Sequence, residues 1–147
     1  MERIMAKSIK TKVKDTLEQF LFNQIESNPE YQEGVRDYQL PSYITDNLSK
    51  ILRDYQVVAI KHFIWLFEQD PNKAKHLLFN MATGTGKTLT MAAAILYLYQ
   101  KGYRNFMFLV HQLQIKDQAI KNFTDYKFAK YLFNPKGVKL NGKTISI

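Results

Sequence analysis

The sequence predicts an α/β domain with a parallel sheet. Two apolar runs, HLLFNM at 76–81 and FMFLV at 106–110, have the length and unbroken hydrophobicity of buried parallel strands. Segments with helical periodicity follow both runs, at 88–100 and at 112–123. An order of strand, helix, strand, helix is the signature of βαβ units, and it therefore predicts a parallel sheet with helices packed on it.

The first 49 residues are predicted to form a helical extension ahead of this domain. Apolar residues recur at helical spacing between residues 8 and 27, and the pattern stops before a proline at residue 29. Residues 28–49 are polar, contain two prolines, and are expected to form an irregular connection. The apolar positions of the first helix are Val13, Leu17, Phe20, Leu21 and Ile25.

Two further elements are predicted near the ends of the domain. An amphipathic helix follows the capping residues NLS at 47–49, runs to about Glu68, and is ended by DPN at 70–72. At the other end, VKLNGKTISI alternates apolar and polar residues on both sides of Asn141-Gly142. An Asn-Gly pair between two alternating segments predicts a β-hairpin with a type I′ turn.

Composition excludes two classes of protein. The 147 residues include no cysteine, which excludes a disulfide scaffold, and no apolar stretch approaches the ~20 residues of a membrane span. The N-terminus lacks a secretory pattern, so we expect a cytoplasmic protein without a membrane partner. Residues 101–147 hold 9 Lys and Arg against 2 acids. This excess suits a polyanion such as nucleic acid, and it equally suits a solvated lysine-rich surface.

The loop after the first apolar run has the chemistry of a phosphate-binding loop. In TGTGKT, Gly84, Thr85 and Gly86 let main-chain N–H groups approach an anion, and the next helix presents further N–H groups. We assign Lys87 to the β- and γ-phosphates and the Thr88 hydroxyl to Mg²⁺. The alternative is a glycine-rich turn with a solvated lysine, which leaves an intact GTGKT at a helix start unexplained.

MATGTGKT, residues 81–88, resembles motif I of superfamily 2 helicases and translocases, particularly the motor subunits of type I and type III restriction enzymes. Met81 stands where the general phosphate-loop pattern has glycine. The resemblance implies that residues 50–147 are the N-terminal part of a RecA-like P-loop domain, truncated before motif II. It also implies ATP and Mg²⁺ as cofactors, contacts with the nucleotide from Thr83 to Thr88, and catalytic roles for Lys87 and Thr88.

LRDYQ at residues 52–56 is similar to a segment that precedes motif I in the same family. The similarity implies that Arg53 and Gln56 contact the nucleotide. The amide of Gln56 can pair with both a donor and an acceptor on adenine, which would select ATP over GTP. The alternative is a surface glutamine on an amphipathic helix.

FLVHQLQIKDQ at 108–118 is similar to motif Ia, which implies contacts of His111, Gln112 and Gln118 with the DNA backbone. His111 and Gln112 stand where these motors often carry Asp-Arg, and the missing arginine removes a charge-assisted phosphate contact. The basic segment that follows interleaves lysines with aromatic residues. This mixture suits a surface on which nucleic-acid bases stack. The alternative is that the aromatic residues belong to a core or an interface. The aromatic residues are Phe123, Tyr126, Phe128, Tyr131 and Phe133.

Hydrolysis of ATP in this class needs an Asp-Glu pair at a strand end, and after Thr88 the sequence has only Asp117 and Asp125 as acids. We therefore expect the N-terminal piece of a longer DNA-dependent ATPase, itself incompetent for hydrolysis. The longer protein would move along duplex DNA in a restriction-modification system and join a methyltransferase subunit, and whether it also has an endonuclease activity stays open at this point. The alternative is a non-hydrolysing ATP-binding regulatory or interaction module; LRDYQ and the motif Ia character argue against a small kinase.

Overall fold

A computed structural model describes residues 27–29, 38–70, 76–110 and 112–145 of the chain. The chain divides into two units, 1–36 and 37–147. In the first unit only residues 27–29 are described, so the helix predicted at 8–27 lies outside the described residues except at its last position. All helices and strands given below belong to the second unit.

A short helix, α1 (Ser42–Thr45), opens the second unit. It lies in the predicted irregular connection, and that prediction is wrong here because α1 buries Ile44 completely. Asn47 follows α1 and is also buried. Its side chain donates to the carbonyls of Tyr43 and Lys139, both at 2.8 Å, and accepts from the Lys139 N–H at 2.7 Å. Asn47 therefore ties α1 to the C-terminal segment.

The helix α2 (Asp54–Gln69) confirms the amphipathic helix predicted ahead of the first apolar run. The predicted cap at 47–49 is wrong, because these residues hydrogen-bond to the C-terminal segment instead. The cap comes from within the helix, where the Gln56 side chain accepts a hydrogen bond from the Arg53 N–H at 2.9 Å. The apolar residues that α2 buries are Ile60, Phe63, Ile64 and Phe67.

The helix α3 (Lys87–Gln100) confirms the helix predicted after the loop, and it packs against α1 and α2. Its C-terminus follows the glycine signal in the sequence. Gly102 has a φ of 104°. The N–H of Gly102 donates to the Tyr99 carbonyl and that of Tyr103 to the Leu98 carbonyl, both at 3.1 Å. These two bonds form a Schellman motif, which satisfies carbonyls that the last turn leaves without partners.

The helix α4 (Leu113–Thr124) and a β-hairpin follow, and both confirm the sequence predictions. The strands β1 (Val138–Leu140) and β2 (Lys143–Ile145) pair in antiparallel register. The turn residues Asn141 and Gly142 have φ values of 51° and 73°, as a type I′ turn requires. None of the helices that the structure describes is long and apolar enough to cross a bilayer.

The predicted parallel sheet is not shown. The hairpin is the only sheet within the described residues, and neither 76–81 nor 106–110 forms a strand there. Both runs are predicted to be buried, yet Leu78, Met107 and Leu109 are exposed over 71%, 87% and 83% of their surface. A parallel strand is buried only where neighbouring strands and helices cover it on both faces, and the described residues do not provide that cover.

Aromatic packing and one polar cluster join α2 to α3. The ring of Tyr97 meets those of Phe63 and Phe67 edge-on, with centroids 5.7 Å apart in each pair. The Tyr97 hydroxyl donates to Glu68 Oε1 at 2.5 Å, and Lys101 Nζ lies 2.6 Å from the same oxygen. Burial raises the pKa of Tyr97, and the hydrogen bond from Lys101 lowers the pKa of Glu68. The cluster holds the C-terminal ends of both helices together.

Candidate functional site

The candidate site is the loop that leads into α3. Gly84 and Gly86 have φ values of 83° and 81°, in the left-handed region that glycine adopts without strain. Gly86 is the N-cap residue of α3, so its position offers no capping side chain. The N–H groups of the first turn, beginning at Lys87 and Thr88, have no acceptor inside the helix, and they lie at its positive dipole end. Such a turn is suited to an anion.

The side chain of Lys87 folds back over the loop. Its Nζ donates to the Met81 carbonyl at 3.0 Å and to the Ala82 carbonyl at 3.1 Å. The Thr85 hydroxyl also donates to the Ala82 carbonyl, at 2.6 Å. Lys87 is exposed, so its ammonium can exchange these two neutral carbonyls for charged oxygens without leaving the loop.

The remaining predicted loop residues are Thr83, which is exposed, and Thr88, which is half-buried in the first turn of α3. No group of three His, Cys, Asp or Glu residues converges on one point within the part of the chain that the structure describes. A Mg²⁺ ion held by the Thr88 hydroxyl would take further oxygens from phosphate and water, a ligand set that suits Mg²⁺.

The beginning of α2 contacts the loop through two adjacent side chains. Gln56 is 2% exposed, and its Nε2 donates to the carbonyls of Thr85 at 2.9 Å and Gly86 at 3.3 Å. The Tyr55 hydroxyl donates to the same Thr85 carbonyl at 3.0 Å, and it accepts from the Arg53 guanidinium at 3.1 Å. The alternative of a surface glutamine is therefore wrong, and the LRDYQ segment is joined to the phosphate loop.

Sequence reasoning missed Tyr55 as part of the site. The available signal was its position between Arg53 and Gln56 in the first turn of α2. Consecutive side chains of a helix point in different directions, so they reach the same peptide only where the helix start faces the loop end-on. That orientation is a tertiary feature, and the spacing of the residues does not predict it.

Comparison with known proteins identifies the family of the chain. Residues 49–147 match the family described as type III restriction enzyme, res subunit. The chain belongs to this family. The match includes both LRDYQ and TGTGKT, so the resemblance read from these segments is confirmed at the level of the family.

A relative of this Res-family chain extends the comparison. The chain is 39% identical over 150 residues to the "Probable type III restriction-modification enzyme HindVIP Res subunit" of Haemophilus influenzae. The comparison covers 95% of this chain and 29% of that protein. The chain thus spans less than a third of the relative's length. No solved structure matches the chain.

Two of the three residues of the Res-family chain that are predicted to contact DNA lie at α4. Gln112 is the N-cap residue of this helix and Gln118 lies within it, and both are exposed. His111 lies outside the described residues. The two glutamines are thus accessible from solvent on an element separate from the phosphate loop.

The aromatic residues after α4 divide between core and surface. Tyr131 and Phe133 are buried, with ring centroids 6.0 Å apart, which confirms the core interpretation for these two. Burial also raises the pKa of Tyr131. Tyr126, in contrast, is exposed over 59% of its surface, and the Lys127 ammonium lies 5.6 Å from its ring centroid.

Proposed function

We propose that this chain binds Mg-ATP at the loop from Thr83 to Thr88, as the ATP-binding part of a DNA-dependent ATPase. The observation that carries the proposal is the junction of loop and helix, where an uncapped helix start meets the ammonium group of Lys87. Main-chain N–H groups and Lys87 would hold the phosphates, and the Thr88 hydroxyl would hold Mg²⁺. Bound Mg²⁺ would supply charge neutralisation between the phosphates.

For the longer protein we propose movement along duplex DNA in a type III restriction-modification system, together with a methyltransferase subunit. Family membership supports this proposal, since the matching relative is named as a Res subunit of such a system. The basic C-terminal segment and the exposed residues Gln112 and Gln118 give the chain a surface suited to a phosphate backbone.

We also propose that residues 76–81 and 106–110 are strands of a RecA-like parallel sheet in the longer protein. Phe106 and Phe108 are about 40% exposed, whereas Met107 and Leu109 are exposed over more than 80%. A period of two is the period of a strand. Phe106, Met107 and Phe108 line an apolar cavity of about 840 Å³ against α3, α4 and the hairpin, and a second layer would cover the surface that Met107 and Leu109 leave exposed.

The chain by itself should hydrolyse ATP at close to the background rate. A carboxylate beside the γ-phosphate is needed to complete the metal site and orient water. Asp117 and Asp125 are both exposed. Asp117 lies 3.5 Å from Lys116 Nζ, and Asp125 accepts from the Lys127 N–H at 3.0 Å. Neither aspartate belongs to the loop from Thr83 to Thr88. The same observation favours the second candidate function, a non-hydrolysing ATP-binding module.

Calorimetric titration with Mg-ATP tests the assignment of the loop. Removing the ammonium in Lys87→Ala should weaken binding about 10- to 100-fold, because a charge-assisted hydrogen bond contributes about 1.5–3 kcal/mol. The exposed Lys116→Ala change in α4 is the matched control, and it should bind as the unchanged chain does. Equal affinity of Lys87→Ala and the unchanged chain would overturn the assignment.

Turnover distinguishes the two candidate functions. The chain incubated with Mg-ATP should release phosphate no faster than Lys87→Ala does. For the longer protein, phosphate release that rises on adding duplex DNA supports the ATPase, whereas DNA-independent background release supports the binding module.

A further inference from the structure

We propose that the α4–β1 segment, residues 125–137, binds a single-stranded stretch of nucleic acid. In this arrangement Tyr126 stacks on a base, while Lys127, Lys130 and Lys136 contact phosphates. The inference rests on the proposed contact of the chain with DNA, and it adds the form of nucleic acid and the residues that recognise it. It is independent of ATP binding at the loop that leads into α3.

The α4–β1 segment is positively charged, and the carboxylate of its one acid is engaged by the main chain. From residue 118 to 147 the sequence has six lysines and a single acid, Asp125. The Asp125 carboxylate accepts from the Lys127 main-chain N–H at 3.0 Å. Lys127, Lys130 and Lys136 are exposed, and none of their ammonium groups forms an ion pair within the part of the chain that the structure describes. These three charges can therefore contact phosphates.

Tyr126 supplies an aromatic surface beside this charge. It is exposed over 59% of its surface, whereas Tyr131 and Phe133 of the same segment are buried. The Lys127 ammonium lies 5.6 Å from the Tyr126 ring centroid, so a ring and a cation are presented side by side. A nucleotide offers a base face to the ring and a phosphate to the ammonium, a combination that an acidic protein segment does not offer.

Hydrogen bonds hold the α4–β1 segment in a defined conformation. Two consecutive turns are closed by the Phe128 N–H on the Asp125 carbonyl and by the Tyr131 N–H on the Phe128 carbonyl, both at 2.9 Å. A third turn is closed where the Gly137 N–H donates to the Asn134 carbonyl at 3.0 Å. The exposed ring and lysines therefore extend from an ordered main chain, which reduces the conformational entropy lost on binding.

The segment is also joined to the core of the second unit. The Leu132 N–H donates to the Asn122 carbonyl in α4, and the Leu132 carbonyl accepts from the Ser49 N–H, both at 2.9 Å. Leu48 and Phe133, which are both buried, form an antiparallel bridge. The basic surface thus belongs to the folded unit, and it differs in this respect from a loose lysine-rich tail.

An exposed flat ring favours a single strand over a duplex. In a duplex each base is stacked on its neighbours, so a ring reaches a base face only after the base has been unstacked, which costs free energy. A single strand offers these faces directly, and an aromatic side chain stacks on them with little dependence on sequence. We therefore expect the segment to bind single strands of varied sequence.

Fluorescence anisotropy with three labelled probes tests the inference. The probes are an oligothymidylate of about 12 nucleotides, an abasic oligomer with the same number of phosphates, and a duplex of the same length. Tyr126→Leu removes the ring, Tyr126→Phe keeps it, and Lys130→Gln removes one charge. Lys61→Gln, in α2, is the charge-matched control.

Stacking and phosphate contact predict different patterns of loss. Tyr126→Leu should weaken oligothymidylate binding about 5- to 100-fold and leave binding of the abasic oligomer as it is, because only the stacking is lost. Tyr126→Phe should stay within about twofold of the unchanged chain. Lys130→Gln should weaken binding of all three probes and reduce the slope of log affinity against log salt for oligothymidylate by about 0.7. Lys61→Gln should alter none of these values.

Four outcomes overturn the inference. Equal oligothymidylate affinity of Tyr126→Leu and the unchanged chain does so, and so does an equal loss for the abasic oligomer, since neither result is stacking. Displacement by polyglutamate as readily as by unlabelled oligothymidylate would assign the surface to an acidic protein partner. Duplex binding without oligothymidylate binding overturns the inference and leaves the proposed function standing.

Failure of the proposed function gives a different result. An unchanged chain that binds none of the three probes overturns the proposed contact with DNA, and this inference with it. The titration with Mg-ATP tests the nucleotide site separately.

Discussion

Replacing Gly86 with alanine should destabilise the chain more than the same change at Gly84, although both glycines lie in the same loop. Their φ values are 81° and 83°, so each alanine would pay the same left-handed strain, about 1–2 kcal/mol. At Gly84 a new Cβ meets nothing within 4 Å. At Gly86 it meets Gln56 Nε2 at 2.5 Å, which is too close for the amide to stay in place.

The extra cost at Gly86 follows from the hydrogen bonds that Gln56 would lose. Its donors reach two carbonyls, and a typical intramolecular hydrogen bond contributes about 1 kcal/mol. We therefore expect Gly86→Ala to lower the free energy of unfolding by about 2 kcal/mol more than Gly84→Ala does. The comparison cancels the backbone strain and isolates the contact.

Urea unfolding followed by fluorescence measures this difference, because the single tryptophan, Trp65, lies in α2. Both variants should unfold with similar dependence on urea, and the midpoint for Gly86→Ala should be lower. Equal midpoints would refute the reasoning, since Gln56 would then not be packed on Gly86.

Two further predictions concern contacts outside the loop. Asn47→Leu should lower the free energy of unfolding by about 2–4 kcal/mol in the same assay, because it removes three hydrogen bonds to Tyr43 and Lys139 and leaves part-buried main-chain groups without these partners. Glu68→Gln should flatten the acid limb of a stability–pH curve: Lys101 lowers the pKa of Glu68 from 4.5, so ionised Glu68 stabilises the fold above that pH and the contribution is lost as pH falls through the lowered value. For Asn47→Leu, a loss of less than about 0.5 kcal/mol in the free energy of unfolding would contradict the prediction. For Glu68→Gln, an unchanged acid limb would contradict it.

Features set by neighbouring residues could be predicted from the sequence. The hairpin at Asn141-Gly142 and the end of α3 at Gly102 depend on positive φ values that these residue types tolerate. The loop that leads into α3 is of the same kind, because its glycines and its lysine lie within a few positions of a helix start.

Features set by distant residues could not be predicted in this way. Asn47 looks like a helix cap in the sequence, yet its partner Lys139 lies 92 positions away. Gln56 lies 30 positions from Gly86, and nothing in the spacing shows that its amide meets the loop carbonyls. A residue that favours helix caps can instead be buried elsewhere, provided that residues distant in the sequence satisfy the hydrogen bonds of its side chain.

The two apolar runs show a different limit. Continuous hydrophobicity at 76–81 and 106–110 predicts burial, and the prediction holds only where neighbouring strands are present to complete a sheet. The pattern therefore indicates that both segments need cover from neighbouring strands and helices. The exposure of Leu78 and Leu109 shows that the described residues do not provide this cover.

The most direct test of phosphate binding at this loop is an amide NMR titration of the ¹⁵N-labelled chain with Mg-ATP. Saturable shifts should concentrate at the N–H groups of Gly84, Gly86, Lys87 and Thr88, and in Lys87→Ala the same shifts should need about 10- to 100-fold more ligand. Shifts that leave these four amides unmoved while the ligand saturates elsewhere would contradict binding at the start of α3.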